Sequence, residues 1–280
     1  TMGSRTIKER LTYVIYFGNE GVEPIVICPS VDVRHMRELS WIPENNIMPF
    51  TEFKTGNDHG LITDKFGFIA DQIRASGFDA GKIGIETSFL SEGLLDSFRQ
   101  VLPKAEFVDC NKIIKSARAV KTPEEIVRLK EACRITEEGC KVLIEYAKKG
   151  ALEDEASAHA KAVSMLNGAE TIGFCAVGSS YRSAFVHNNP RHEPIREGTV
   201  FRFDYGALYE GYWGDLARTF VISRYSQEQR KYHDAIRAAQ EAGLSSVKPG
   251  ATANDVYMAA VTAGRKYDPD LRREHVGHGL

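Results

Sequence analysis

The sequence predicts two domains, an α/β domain followed by an α+β domain. Its 280 residues are many for one domain and suit two. Up to about residue 117, short apolar runs alternate with helical patterns, as in α/β structure. Beyond that point, amphipathic helices flank an antiparallel hairpin, which indicates α+β structure. We therefore expect one domain over residues 1–118 and a second over residues 119–280.

The elements of both domains follow from periodicity and from end signals. In the first domain the predicted strands are 11–17, 24–28, 82–85 and 105–109, and the predicted helices are 65–76 and 92–101. Thr122-Pro-Glu-Glu125 is a capping box that predicts a long helix ending at Gly150. Further helices are predicted over 153–166, 226–242 and 253–266.

A hairpin with two aspartates is the strongest functional signal. Residues 200–205 and 212–222 have strand composition, with a turn between them. A turn centred on Tyr209 and Glu210 would place Asp204 directly opposite Asp215. Like charges repel at that spacing, so such a pair indicates bound cations. The alternative is a slipped register with two solvated acids.

Two histidines add to this signal. His278 lies between two glycines near the end of the chain, where backbone can closely approach an ion or a substrate. His187 lies in a polar loop before the strand that carries Asp204. Imidazole combined with carboxylates suits Mn, Co, Fe or Zn better than Ca or Mg.

These motifs resemble those of the pita-bread metallopeptidases, which include aminopeptidase P, prolidase, methionine aminopeptidase and creatinase. The first motif of that family is present as Asp204-Tyr-Gly206 and Gly211-Tyr-Trp-Gly-Asp-Leu-Ala-Arg-Thr219. The second is present as Gly277-His278-Gly279, and the substrate-side histidine of the family matches His187.

The resemblance implies a fold, an activity and a set of roles. The first domain would be a ribonuclease-H-like creatinase N-terminal domain that helps to form a homodimer, and the second a pita-bread catalytic domain. The activity implied is cleavage of Xaa-Pro peptide bonds by a hydroxide held between two divalent metal ions. Asp204, Asp215 and His278 would be metal ligands. His187 would be catalytic and would bind substrate. Apart from the resemblance, His275 and Tyr212 are further candidates for substrate binding, although hairpin aromatics such as Tyr212 more often serve packing.

Two departures from the family pattern affect these expectations. Many members have a histidine four residues before the ligand histidine, where this chain has Glu274, and His275 lies one residue away. The family also has two glutamate ligands well beyond the Gly-His-Gly motif, whereas this sequence stops at Leu280. We therefore expect a C-terminally incomplete domain which, taken alone, has a half-built site and no peptidase activity.

Composition excludes several other classes of protein. The net charge of −2 and the lack of a basic stripe argue against a nucleic-acid partner. No run of about 18 apolar residues occurs, so no membrane span is expected. The five scattered cysteines fit reduced thiols, which predicts a cytoplasmic protein.

Three alternative functions remain open at this stage. Glu274 favours a metal-dependent hydrolase or lyase that acts on a small amide or a zwitterion. A creatinase-like enzyme without metal is disfavoured because the three visible ligand positions are intact. A catalytically inactive binding module would lack the two glutamates expected after Leu280.

Overall fold

The computed structural model describes residues 11–18, 21–53, 56 and 59–279. The chain forms two compact units that divide between Val120 and Lys121. Each unit has its own core. Of the helices in the described part of the chain, none has the length and apolar composition needed to cross a membrane.

The described residues of the first unit form two small sheets and four helices. Its strands are β1 (Tyr13–Ile15), β2 (Ile25–Pro29), β3 (Ile47–Phe50), β4 (Lys82–Ile85) and β5 (Glu106–Asp109). Its helices are α1 (Val33–Leu39), α2 (Lys65–Ala75), α3 (Glu92–Val101) and α4 (Asn111–Ala119). Strand β2 pairs antiparallel with β1 and parallel with β3, whereas β4 and β5 form a separate parallel pair.

The second unit consists of four helices and a four-stranded antiparallel sheet. The helices are α5 (Pro123–Tyr146), α6 (Glu153–Leu166), α7 (Gln227–Ser246) and α8 (Ala253–Arg265). The strands are β6 (Thr171–Ser179), β7 (Val200–Tyr209), β8 (Tyr212–Trp213) and β9 (Leu216–Val221). Strand β7 is central, with β6 on one side and β8 and β9 on the other.

Helices α5 and α6 cover one face of this sheet. The side chains of Phe201, Phe203 and Tyr205 are fully buried in a core cluster that includes residues of both helices. The Thr122 capping box fixes the start of α5: its hydroxyl accepts from the Glu125 N–H, and the Glu125 carboxylate accepts from the Thr122 N–H.

The hairpin turn lies one residue later than the sequence pattern suggested. Tyr209 pairs with Tyr212, so the turn is centred on Glu210 and Gly211, which have φ values of +43° and +80°. Positive φ at both central residues is the requirement of a type I′ turn, and glycine meets it without strain. The prediction of a turn at Tyr209 and Glu210 was therefore wrong, and the register moves with the turn.

Most predicted elements are confirmed, and four were missed. Helices α3 and α6 have the predicted bounds, and α5 ends at Tyr146 before the predicted Gly150. The elements missed are α1, α4, β3 and β6. Strand β6 carries two glycines and has a bulge between Ile172 and Phe174, so it lacks the alternation by which strands are recognised.

Candidate metal centre on the uncovered face of the sheet

Alternate residues of β7 point to opposite faces of the sheet. One set of side chains faces α5 and α6 and consists of Phe201, Phe203 and Tyr205. Arg202 and Asp204 therefore point to the opposite face of the sheet, which we call the uncovered face. Asp204 is paired across the sheet with Ala217 of β9, and not with Asp215. The predicted direct pairing of the two aspartates was wrong because the turn lies one residue later.

The corrected register keeps both aspartates on one face. Asp215 lies two residues before Ala217, the partner of Asp204, and residues two apart share a face. The Gly214 N–H donates to the carbonyl of Ala207 at 2.9 Å, which continues the ladder up to Asp215. Asp204 and Asp215 are therefore diagonal neighbours on the uncovered face.

Glycine at position 214 allows this part of the hairpin to lie against helix α5. A Cβ at Gly214 would lie 2.2 Å from the Thr136 hydroxyl oxygen and 2.5 Å from the Ala132 carbonyl oxygen. The same Thr136 hydroxyl accepts the N–H of Ala207 at 3.2 Å. Close packing of Gly214 against α5 thus fixes the backbone position of the next residue, Asp215.

Asp215 and His278 come together in space although 63 residues separate them in the sequence. The His278 Nε2 atom is 3.5 Å from the Asp215 Oδ2 atom. The imidazole is 62% exposed and the carboxylate 26% exposed, so the pair is accessible from the uncovered face.

The pKa of Asp204 reflects its burial and the charged groups near it. The pKa of the Asp204 carboxyl is raised, first by burial and then by the negative charge of Asp215. Arg202, His187 and His278 act in the opposite direction. The Arg202 Nη2 atom is 3.3 Å from the Asp204 Oδ2 atom.

His187 is exposed in the loop between β6 and β7, and its imidazole interacts electrostatically with Asp204. The base of this loop is held by Glu153 of α6, whose side chain is fully buried. The Glu153 Oε1 atom accepts from both the N–H and the hydroxyl of Ser179, at 2.7 and 2.8 Å. Its Oε2 atom accepts from the buried Arg182 guanidinium and from the N–H of Arg191.

Asn188 completes the support of the loop. Its side-chain amide donates to the carbonyl of Val177 at 2.9 Å and to the carbonyl of Arg182 at 3.3 Å. Because Asn188 follows His187 directly, these contacts fix the backbone on one side of the histidine. A loop built on buried, paired polar groups has a defined conformation.

Two other residues were expected to bind substrate, namely Tyr212 and His275. Tyr212 has the same parity as Gly214 and so faces the helices, where its hydroxyl donates to the Glu125 carboxylate at 2.9 Å. Its predicted position in the pocket is therefore wrong. His275 is exposed, and its place in a substrate pocket stays a prediction.

Asp204, Asp215 and His278 fit a divalent ion in their chemistry. Carboxylate and imidazole donors suit Mn, Co, Fe or Zn, and a cation would reduce the repulsion between the two aspartates. Within residues 11–18, 21–53, 56 and 59–279, no three His, Cys, Asp or Glu side chains are grouped closely enough to hold one ion. Asp215 and His278 form a close pair, whereas Asp204 is paired with Arg202.

Sequence reasoning missed Arg202, Arg182 and Glu153. Arg202 lies two residues before Asp204, and the two-residue period of a strand could have placed it on the same face. Glu153 gave no such signal, because an acid in the first turn of a helix is ordinarily a solvated end group.

Comparison with known proteins agrees with this geometry. Residues 127–280 match the metallopeptidase family M24, and residues 7–120 match the creatinase/prolidase N-terminal domain. The chain therefore belongs to metallopeptidase family M24, which confirms the resemblance and the predicted fold class. Membership of this family implies divalent metal ions.

Individual relatives point in the same direction. The Xaa-Pro dipeptidase of Pyrococcus furiosus is 31% identical over 291 residues, which span 98% of this chain and 82% of the relative. A solved structure of prolidase from Pyrococcus furiosus has a TM-score of 0.74 and 28% identity, over 92% of this chain and 69% of that one. The X-Pro aminopeptidase structure from Thermotoga maritima, at 23% identity and a TM-score of 0.73, supports the fold alone.

Proposed function

We propose that the protein hydrolyses Xaa-Pro peptide bonds, as a dipeptidase or an aminopeptidase, with two divalent metal ions. The observation that carries the proposal is the pair formed by Asp215 and His278 next to Asp204, on the sheet face opposite the α5–α6 core. Relatives that are named Xaa-Pro dipeptidase and prolidase support the substrate class.

Asp204, Asp215 and His278 would hold the ions. When bound, divalent ions in such a site polarise the scissile carbonyl and lower the pKa of the attacking water. The two carboxylates supply negative charge that balances the charge of the ions. This role requires both carboxylates in their ionised form, although burial and Asp215 raise the pKa of Asp204.

His187 is proposed to act on the substrate. Its imidazole is exposed and close enough to Asp204 to interact with its charge. From this position, a ring N–H can donate to the oxyanion of the tetrahedral intermediate or to the leaving nitrogen. We do not assign it as a ligand, because an accessible histidine on a separate loop is better placed to meet substrate.

A second candidate is hydrolysis or lysis of a small amide or zwitterionic substrate. It is favoured by Glu274, which occupies a position where many family members have histidine and which is exposed. An acid at that position would favour a cationic group on the substrate. The homodimer, the cytoplasmic location and the choice among Mn, Co, Fe and Zn stay predictions.

A panel assay tests the proposal. The metal-depleted full-length protein, with any residues that follow Leu280, is incubated with Mn, Co, Fe or Zn. It is then assayed with Xaa-Pro dipeptides, longer Xaa-Pro peptides, matched Xaa-Ala peptides and small amides such as creatine. We expect cleavage of Xaa-Pro bonds that a chelator abolishes and added metal restores. Cleavage confined to the small amides would favour the second candidate, and activity unaffected by chelation would contradict both.

A further inference from the structure

Arg202 connects the loop that carries His187 to Asp204. Its Nη1 atom donates to the carbonyl oxygens of Phe185 and Val186, at 3.2 and 2.9 Å. Its Nη2 atom donates to the Asp204 carboxylate at 3.3 Å. The side chain is only 21% exposed, so these contacts are partly shielded from water.

The two carbonyls immediately precede His187 in the chain. One guanidinium therefore joins the backbone next to His187 to a carboxylate proposed as a metal ligand. The planar fork of arginine allows contacts in two directions at once, which the single ammonium of lysine cannot reproduce with the same geometry.

Other contacts hold the base of the loop and the N–H side of Phe185, and Arg202 holds the two carbonyls that follow. The Phe185 N–H donates to the Arg182 carbonyl at 3.0 Å, and its ring contacts the Tyr181 ring edge-on. Glu153, Arg182 and Asn188 fix the start of the loop and the residues after His187. The side chains of Phe185 and Val186 are 53% and 58% exposed, so burial does not hold that part of the loop. The hydrogen bonds from Arg202 to the two carbonyls therefore add to the Phe185 contacts as restraints on this segment.

We propose that Arg202 is a positioning residue that sets the place of His187 relative to Asp204. It acts through the loop backbone and does not contact the reacting atoms. The kinetic consequence rests on the proposed function, because it requires His187 to act on the substrate. The structural consequence, a loop restrained by Arg202, holds whatever reaction the site performs.

Hydrogen exchange tests the structural consequence without any activity measurement. Metal-free Arg202→Met, Arg202→Lys and a surface control, Arg237→Met, are compared with the unmodified protein. Arg237 lies on α7 with its side chain 68% exposed. We expect the Phe185 amide, which donates to the Arg182 carbonyl at 3.0 Å, to exchange roughly tenfold faster in Arg202→Met, because the two charge-assisted hydrogen bonds that restrain this segment are lost.

Arg202→Lys should give an intermediate rate, and Arg237→Met an unchanged one. Unchanged exchange of the Phe185 amide in Arg202→Met would overturn the proposal, and so would equal acceleration throughout the second unit. If Arg202→Met does not fold, Arg202→Lys carries the test, because it keeps the charge and one donor. This result stands even if no peptide is cleaved, so failure of the proposed function is recognised separately.

A double-mutant cycle tests the kinetic consequence. Arg202→Met should lower kcat roughly 10- to 100-fold and leave KM within about twofold, because misplacement of a catalytic group affects the transition state most. In a His187→Ala background the same substitution should have little further effect. Fully additive effects, or a fall in metal content that accounts for the lost activity, would show that Arg202 does not act through His187.

Discussion

The two faces of strand β7 differ in the burial and in the polarity of their side chains. On one face Phe201, Phe203 and Tyr205 are fully buried against α5 and α6. On the other face Arg202 and Asp204 are partly buried, and Asp204 has a raised pKa because of burial and the nearby Asp215. The same ten-residue strand thus supplies stability on one face and, by our proposal, chemistry on the other.

Because of this difference, we expect mutations on the two faces to have different effects on stability and on function. Removing an apolar side chain on the helix face leaves a cavity and lowers stability. Removing an aspartate charge on the uncovered face relieves repulsion between Asp204 and Asp215 and should affect function much more than stability.

The largest effect on stability is expected on the helix face. Phe203→Ala should lower the free energy of unfolding by about 3–5 kcal/mol, because it removes a fully buried ring. Phe185→Ala is the matched control, since this ring is half exposed, and it should cost less than about 1 kcal/mol. Urea unfolding measures both, and equal losses would contradict the assignment of faces.

Replacement of Glu153 should destabilise the protein to a similar extent. Glu153→Ala leaves the buried Arg182 guanidinium and the Ser179 N–H without their acceptor, at a cost of about 3–5 kcal/mol. Glu155 lies two residues later on the same helix and is exposed, so Glu155→Ala should change stability by about 0.5 kcal/mol or less. A cost below about 1 kcal/mol for Glu153→Ala would mean that the buried pair does not hold the loop.

His187→Ala should affect activity without affecting the metal. We expect kcat to fall by about 10²–10⁴-fold with unchanged metal content, because the imidazole is proposed to meet substrate and not to bind the ions. His192→Ala is a control from the same loop, where the imidazole is 78% exposed and pairs with Asp154. Loss of metal in His187→Ala would show that the role is wrong.

A smaller effect concerns Asp204 in metal-free protein. Its folded-state pKa is raised, so its contribution to stability is present below the unfolded pKa and is lost as pH rises through the folded pKa. At neutral pH the ionised carboxylate therefore destabilises the fold, and Asp204→Asn should raise Tm by about 1–2 °C. The increase should shrink as pH is lowered toward 4, and a lower Tm for the variant at pH 7 would contradict the direction of the shift.

The features that could be predicted from the sequence are those set by residues close together in the chain. The α5 and α6 helices were predictable because the Thr122 capping box and the apolar spacing are local signals. The hairpin was predictable, but its register was not, because Gly211 allowed the turn to move by one residue.

The site shows the same limit. Asp204, Asp215, His278 and His187 could be selected from motifs. Of these, Asp215 and His278 lie 3.5 Å apart, and the charges of His187, Asp215 and His278 each influence the pKa of Asp204. The contacts of Arg202 with the 185–186 carbonyls join residues 16 and 17 positions apart in the sequence, and no local pattern records them. Tyr212 was misplaced because sequence composition does not reveal which partner a hairpin tyrosine will find.

Metal analysis of purified variants tests the central claim most directly. The claim is that Asp204 and Asp215 on the uncovered face hold divalent ions, whereas Phe203 on the opposite face only supports the fold. The full-length protein, with any residues that follow Leu280, is loaded with Mn, Co, Fe or Zn, and bound metal is measured in Asp204→Asn, Asp215→Asn and Phe203→Leu. Our account predicts that each aspartate variant loses at least one ion per chain and that Phe203→Leu keeps the full content. Full metal content in both aspartate variants would contradict it.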